Sequence, residues 1–225
     1  PNLAELSSNG LREGTYSYEI GKPGLKNEEV VSFNGLLQFR SEKIQIAFTP
    51  FANFFHNYIY LAPTAEQWLS FPIYRYLQQD ATQWGAELNG HYQINKYLSG
   101  KLSYAAMSSR TADGHYTPFT PAPKLVPAIY YRSATNRKTP VELFTNLDYF
   151  FQQDKTAPNE IKTPSYQLWN AGATLVFRKK EEECHLSFAF QNILNTAYYD
   201  HLSRLKAFGL LNPGRNFSIN FRMKI

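Results

Sequence analysis

The sequence "NFSINFRMKI" (residues 216–225) alternates without a break between apolar and polar side chains. The apolar positions are Phe217, Ile219, Phe221, Met223 and Ile225, and the polar positions between them are Ser218, Asn220, Arg222 and Lys224. Successive side chains of a β-strand point to opposite faces, so this segment predicts a strand with one apolar face and one polar face. A soluble sheet could contain such a strand, but its exposed edge would promote aggregation. In a membrane β-barrel the apolar face meets lipid and barrel closure pairs the edge.

The composition fits a strand-rich protein and excludes membrane-spanning helices. The chain has 225 residues, of which 43% are hydrophobic and 16% aromatic, and its mean hydropathy is -0.43. No run approaches the roughly eighteen consecutive apolar residues that a membrane helix needs. Alternating strands average their hydropathy away, so these values do not exclude a transmembrane barrel.

Charge and residue content exclude several other classes of protein. The net charge is +5, but Lys and Arg are scattered and form no basic stripe, so no nucleic-acid partner is predicted. The single cysteine, Cys184, excludes an intramolecular disulfide and a cysteine-based metal cluster. Asp200, His201 and Ser203 are the residue types of a catalytic triad, but neighbours in sequence do not define triad geometry. We therefore predict neither an enzyme nor a bound cofactor.

Turn signals divide the chain into long alternating runs. The runs cover residues 30–40, 44–60, 73–93, 97–108, 125–134, 141–152, 165–178, 184–199 and 215–225. The connections between them alternate between two kinds. Short charged turns lie near 41, 95, 137 and 181, and long loops lie near 66, 114, 158 and 207. Short turns on one rim and long loops on the other are typical of an up-and-down outer-membrane barrel. Several runs also exceed the roughly 9–11 residues of a membrane-crossing strand.

Aromatic residues mark the ends of several runs beside the predicted long loops. They are Tyr58 and Tyr60, Tyr74 and Tyr76, Tyr149 to Phe151, and Tyr198 and Tyr199. We interpret them as an interfacial girdle. Asn192 breaks the alternation, because it shares a phase with three apolar residues of the run 184–199. We expect a bulge at 191–193, or exit of the chain from the hydrocarbon there.

Five segments, spread over nearly the whole chain, form an ordered set of short motifs. Residues 5–29 ("ELSSNGLREGTYSYEIGKPGLKNEE") carry, in order, Asn-Gly, Gly-Thr, Glu-x-Gly and a "KPGLKNE" run. The others are "NYIYL" (57–61), "PIYRYLQQDATQWGAEL" (72–88), "NILNTAY" (192–198) and "NPGRNFSINFRMKI" (212–225). In this order they resemble the later barrel strands of the TonB-dependent outer-membrane receptors.

This resemblance implies an all-β, antiparallel, up-and-down transmembrane barrel of about twenty-two strands. Residues 1–225 would be its C-terminal nine or ten strands, and residues 1–29 an extracellular-loop region with one further strand. The plug domain and the N-terminal strands would lie outside this chain. The resemblance also implies localisation in the outer membrane of a Gram-negative bacterium, among lipid and lipopolysaccharide.

The function implied by the resemblance is energised, ligand-gated uptake of a scarce nutrient. The nutrient would be an iron complex (a siderophore or haem) or zinc, and the TonB inner-membrane complex would act through the absent plug. Two alternatives stay open. One is a passive outer-membrane pore or structural barrel, and the other is a soluble β-rich binding protein.

Basic and aromatic side chains beside the long loops are the candidate ligand contacts. They are Tyr74, Arg75, Tyr76, His115, Tyr116, His201, Arg204 and Lys206. Arginine clamps carboxylate or phenolate groups and aromatic rings stack on planar ones, so these residues suit a small anionic molecule or metal complex. The alternative interpretation is that they belong to the girdle and contact lipopolysaccharide.

The number of strands determines how the sheet could close. Nine runs counted from residue 30 would require a parallel seam, whereas bacterial barrels have an even number of antiparallel strands. The alternating stretch Thr15–Ile20 would supply a tenth strand beside 215–225. Alone, the chain is expected to close as a ten-stranded barrel or to associate edge to edge. Within a larger receptor, 215–225 is expected to pair with a strand N-terminal to this chain.

Overall fold

A computed structural model describes residues 1–134, 139–179 and 182–224 of the chain. The helical elements are α1 (Leu3–Ser7) and two 3-10 turns, Glu13–Thr15 and Arg204–Phe208. The strands are β1 (Asn9–Arg12), β2 (Ser17–Ile20), β3 (Glu29–Asn34), β4 (Leu37–Arg40), β5 (Ile44–Trp68), β6 (Phe71–Gln93), β7 (Leu98–Thr111), β8 (Lys124–Arg132), β9 (Val141–Phe150), β10 (Tyr166–Lys179), β11 (Glu182–Gln191) and β12 (Asn216–Lys224). Among these described residues, no helix has the length and apolar character needed to span a bilayer.

The strands from β3 to β12 form one antiparallel meander in chain order. β3 and β4 both pair with β5, and the sheet then continues strand by strand from β5 to β12. This arrangement confirms the predicted all-β, up-and-down architecture. The sheet is open in the described part of the chain, where β12 pairs with β11 and the opposite edge is formed by β3 and β4.

The alternation of the sequence gives the sheet one apolar face, which we call the outward face. On β6 this face carries Trp84, Leu88 and Tyr92, which remain 60%, 38% and 48% exposed. Trp84 and Tyr92 are eight positions apart, or about 26 Å along a strand. Trp169 and Phe177 of β10 are also eight positions apart and so span the same distance along their strand. These spans match the apolar band of about 25 Å, with aromatic residues at both ends, of a transmembrane barrel.

The connection predicted as a long loop near residue 66 is instead a β-hairpin. β5 and β6 continue as a paired ribbon up to Trp68 and Phe71. The turn consists of Leu69 and Ser70, which both have positive φ angles, of 47° and 72°. Positive φ at both central residues is the geometry of the tight turn that matches the twist of a hairpin. The prediction failed because tight turns of this kind usually carry Asn or Gly, and this one carries neither.

The predicted tenth strand is also placed differently. β2, which covers most of Thr15–Ile20, pairs with β6 in parallel, with Tyr18 opposite Ile73. It forms a small hairpin with β1 and lies beside the projecting part of β6. Closure of a ten-stranded barrel through β2 and β12 is therefore wrong for this structure, because β2 is held at the other end of the meander.

Other turn predictions are confirmed where the structure describes them. Short turns join β4 to β5 at 41–43 and β6 to β7 at 94–97. The turns predicted near 137 and 181 fall on residues 135–138 and 180–181, outside the described residues. The run predicted over 184–199 is shorter in the structure, because β11 ends at Gln191 and the chain leaves the sheet before Asn192, without the bulge that was one of the two expectations.

Two of the tyrosines predicted for an aromatic girdle pack against other aromatic rings of the protein. Tyr74 is only 5% exposed and its ring lies 6.0 Å from that of Phe119 in a loop. Tyr198 stacks on Tyr166 at 4.6 Å. For Tyr74 and Tyr198 the girdle interpretation is therefore wrong, because Tyr74 of β6 packs against the Phe119 ring and Tyr198 packs against Tyr166, the first residue of β10.

Candidate ligand-binding loops

Three long connections fold together at one end of the sheet, which we call the long-loop rim. They are the β7–β8 loop (112–123), the β9–β10 loop (151–165) and the β11–β12 loop (192–215), together called the loop cluster. The Phe119 N–H donates to Glu160 Oε1 at 2.9 Å and joins the first loop to the second. Thr163 Oγ1 lies 3.0 Å from His201 Nδ1 and joins the second to the third. Polar contacts thus hold the three connections together.

A buried ionic group lies between two of these loops. Glu160 Oε1 is 3.1 Å from His201 Nε2 and 3.6 Å from Lys206 Nζ. The side chains of Glu160 and His201 are each 2% exposed, and that of Lys206 is 5% exposed. Glu160 Oε2 also accepts from the Ala157 N–H at 3.0 Å, and Lys206 Nζ donates to the His201 carbonyl. Charged groups remain buried only when they are paired in this way.

Burial and local contacts act in opposite directions on the Glu160 carboxyl. Desolvation alone would raise its pKa, but the contact with His201 and the hydrogen bonds from the Phe119 and Ala157 N–H groups outweigh it. The pKa of Glu160 is therefore lowered. Desolvation lowers the pKa of Lys206, and the nearby Glu160 carboxylate offsets this only in part. The folded protein therefore favours the charged form of Glu160 and disfavours the charged form of Lys206.

A second charged group ties the loop cluster to β2 and β6. Arg204 Nη1 donates to Glu19 Oε1 at 2.7 Å, and Arg12 Nε donates to Glu19 Oε2 at 3.2 Å. The Arg204 guanidinium also lies 5.5 Å from the ring centre of Tyr74 and 5.4 Å from that of Phe119. Glu19 is almost fully buried, so these two arginines supply its compensating charge.

A cavity opens between the loop cluster and the tip of the β5–β6 hairpin. The rings of Tyr74, Phe119 and Phe208 line it, together with the Glu160 and Lys206 side chains. Aromatic surfaces bind flat apolar groups, and the paired Glu160 and Lys206 side chains leave the lining without a net charge. The cavity can therefore accept a ligand with planar groups.

The structure brings five of the eight predicted contact residues together. They are Tyr74, Tyr76, His201, Arg204 and Lys206. Tyr76 joins the group through its hydroxyl, which donates to Glu19 Oε2 at 3.4 Å. The cationic members are already engaged by Glu19 or Glu160, so they organise the loops in this structure. Their contact with a ligand stays a prediction.

The other three predicted residues lie elsewhere. Arg75 points to the opposite side of β6 from Tyr74 and pairs with Glu66 at 2.8 Å. His115 and Tyr116 lie in the β7–β8 loop, where His115 is exposed. The Tyr116 hydroxyl accepts from Arg110 Nη2 at 2.6 Å.

Sequence reasoning missed Glu19, Glu160 and Phe119, although they organise this site. Glu160 is 41 positions from Phe119, and Glu19 is 185 positions from Arg204. Each is one polar or aromatic residue among many in the loops, and no local spacing marks it. Within the described residues, no group of three or more His, Cys, Asp or Glu side chains could hold a metal ion.

A matching family model and several similar solved structures agree with the observed fold. The family model described as TonB dependent receptor-like, beta-barrel matches residues 1–195. The chain therefore belongs to the TonB-dependent receptor β-barrel family. Members of this family are outer-membrane proteins of Gram-negative bacteria.

Solved structures of receptors and transporters share the fold. The copper transporter OprC matches with a TM-score of 0.78 at 18% identity, over 96% of this chain and 34% of its own. BauA, the ferric preacinetobactin receptor from Acinetobacter baumannii, matches with a TM-score of 0.65 at 15% identity, over 95% and 32%. A mutant of the ferric enterobactin receptor PfeA from Pseudomonas aeruginosa matches with a TM-score of 0.66 at 16% identity, over 99% and 36%. This chain spans about a third of their length. The family and these neighbours are receptors and transporters rather than enzymes.

Proposed function

We propose that this chain forms part of the wall and the extracellular loops of an outer-membrane receptor that imports a scarce nutrient. Family membership and the apolar band on the outward face support this proposal. The outward face would then meet lipid and lipopolysaccharide, and the short turns would face the periplasm. The TonB complex would act through a plug located N-terminal to this chain.

The cavity at the long-loop rim carries the proposal for the ligand. Lys206 and Glu160 are paired in the lining, so their charges largely cancel and the aromatic walls carry the choice of ligand. Tyr74, Phe119 and Phe208 add flat apolar walls. These features suit an iron complex with aromatic or planar groups, such as a catecholate siderophore or haem. We therefore propose an iron complex as the nutrient.

Uptake by cells that produce the complete receptor tests this function. Labelled ferric enterobactin, haem and Zn²⁺ are offered separately, before and after dissipation of the proton-motive force. We expect saturable, energy-dependent uptake of one of the iron complexes. Uptake that persists without the proton-motive force would support a passive pore instead. Recovery of the receptor from the soluble fraction without detergent would support a soluble binding protein.

Two variants test whether the ligand binds in the rim cavity. Phe119→Ala and Phe208→Ala each remove one wall of the cavity, and we expect either to weaken binding of the imported iron complex. Glu42→Ala in the short turn 41–43 is the matched control and should bind as the unchanged receptor does. If Glu42→Ala weakens binding and the two cavity variants do not, the ligand binds at the other rim.

A further inference from the structure

The sheet has a gap beside β7, near the long-loop rim. The ladder between β7 and β8 ends at the pair Ala105–Lys124. Farther along, the Thr117 N–H donates to the Ser109 carbonyl at 3.1 Å. Between these points β7 borders a notch instead of a strand. Peptide groups alternate in direction along a strand, so those of Met107 point to the same side as those of Ser109, towards the notch.

The lining of this notch changes from apolar to polar along its length. The walls are the rings of Trp84 and Tyr104, and Ala86 and Ala106 lie between them. All four residues share the outward phase of β6 and β7. The end nearer the rim is lined by Ser108 of β7 and by Gln152, Asp154 and Lys155 of the β9–β10 loop. Along the strand direction, the notch is thus apolar at the end away from the rim and polar at the end nearer the rim.

The depth of the notch places it at a membrane interface. Trp84 marks the rim-side end of the apolar band, so the notch crosses from the band to the polar loops. A lipid has the same order, with acyl chains in the band and a charged headgroup above it. A peptide group at this depth needs another polar partner when no neighbouring strand bonds to it, because hydrocarbon supplies none. The backbone N–H of Met107 is placed to bond to such a partner.

We propose that this notch binds one molecule of lipopolysaccharide through its phosphorylated lipid A. An acyl chain lies on Ala86 and Ala106 between the two rings. A phosphate lies at the rim end, where the exposed Lys155 ammonium supplies positive charge and the Met107 N–H can donate. This inference rests on the membrane placement proposed above and concerns a lipid that remains bound, distinct from the nutrient.

Asp154 gives the proposal a directional test. Its carboxylate lines the same end of the notch as Lys155 and repels a phosphate. Removing this charge by Asp154→Asn should strengthen lipid retention, whereas Lys155→Glu should weaken it. A general loosening of the loop would not move the two variants in opposite directions.

The experiment uses the complete receptor, extracted from outer membranes in mild detergent, with native mass spectrometry as the readout of bound lipopolysaccharide. Lys155→Glu should lower its occupancy by roughly an order of magnitude, since each headgroup charge contact near a membrane changes binding several-fold. Ala106→Trp should fill the apolar part of the notch and abolish retention. Lys162→Glu, an exposed lysine of the same loop, and Ala173→Trp, an outward alanine of β10, are the matched controls.

Unchanged occupancy in Lys155→Glu and Asp154→Asn would overturn the proposal, whether or not Ala106→Trp folds. Titration of the delipidated receptor with lipopolysaccharide or phosphatidylglycerol in detergent identifies the source of the phosphate. We expect tighter binding of lipopolysaccharide, and equal binding of both would overturn its assignment. If the unsubstituted receptor retains lipopolysaccharide but takes up no nutrient, the proposed function alone is wrong. If it takes up the nutrient but carries no bound lipopolysaccharide, the proposal for the notch alone is wrong.

Discussion

Ile219 of β12 lies near mid-depth on the outward face. It pairs with Phe188, which pairs with Ala173, midway between Trp169 and Phe177 of β10. We predict that Ile219→Arg lowers the free energy of unfolding by about 2–4 kcal/mol, the cost of a lipid-facing arginine at the bilayer centre. The measurement is urea unfolding of the complete receptor in lipid vesicles.

The neighbouring positions provide the controls for this prediction. Phe221 lies on the same outward face, where it is 68% exposed, but it is nearer the short turns and therefore farther from the bilayer centre. Phe221→Arg should therefore cost less free energy of unfolding than Ile219→Arg. Asn220→Arg and Arg222→Phe, on the opposite face, should cost least. Equal costs at positions 219 and 220 would contradict the assignment of the outward face.

Gly172 of β10 is required by close packing across the sheet. A Cβ at this position would lie 2.8 Å from Phe144 Cζ and 2.8 Å from the Phe188 carbonyl oxygen. We predict that Gly172→Ala destabilises the protein by about 1–3 kcal/mol, the usual cost of overpacking. In a Phe144→Ala background the same change should cost clearly less, since the ring is gone. A double-mutant cycle in urea measures this, and additive costs would show that the ring is not the obstacle.

At the scale of elements, the Glu160 group holds the β9–β10 loop to the β11–β12 loop. Glu160→Gln leaves the Lys206 ammonium buried without its counter-charge, and breaking a buried pair in this way costs about 3–5 kcal/mol. We predict faster hydrogen exchange in both loops. Glu160→Gln combined with Lys206→Met should recover much of the protection, because no buried charge is left over. Glu66→Gln, which breaks an exposed pair with Arg75, should change little.

The same group predicts an acid dependence of the loops. The pKa of Glu160 is lower in the folded state than its ordinary value near 4.5, so ionised Glu160 favours the closed loops above that pH. This contribution falls as the pH drops below about 4.5 and is lost once the folded-state pKa is passed. The lowered pKa of Lys206 acts oppositely, costing stability while the lysine is protonated and relieved only as the pH rises.

Hydrogen exchange of the β9–β10 loop, measured while the pH is lowered, checks this dependence after correction for the intrinsic rate. The acid-induced loss of protection should be smaller in Glu160→Gln than in the unchanged protein. An identical pH profile in the two proteins would assign the loss to other groups.

At the scale of the whole molecule, the described sheet has two long edges, at β3–β4 and at β12. Unpaired edges associate with other strands. We predict that the chain produced alone in detergent forms oligomers, and that β12 in the complete receptor pairs with a strand N-terminal to this chain. Size-exclusion chromatography with light scattering tests the first point. Disulfide cross-linking from Asn220→Cys to cysteines in the N-terminal half tests the second, and a monodisperse monomer with no cross-link would contradict both.

The sequence alone determined the strands and their faces. Phe217, Ile219 and Phe221 alternate with polar residues, and this period follows from the geometry of one strand, so it can be read locally. The meander order followed as well, because short turns force neighbouring runs to pair. The β5–β6 hairpin was missed since Leu69 and Ser70 lack the usual turn chemistry, and the surrounding strands hold them at positive φ.

Only the tertiary structure decided which loop residues meet. Glu160 joins Phe119, His201 and Lys206 across long stretches of chain, and Arg204 reaches Glu19 on β2 from 185 positions away. Loops have no repeating period, so nothing local marks these partners. Their pairing follows from burial, which requires each charged group to find an opposite charge once the loops have packed.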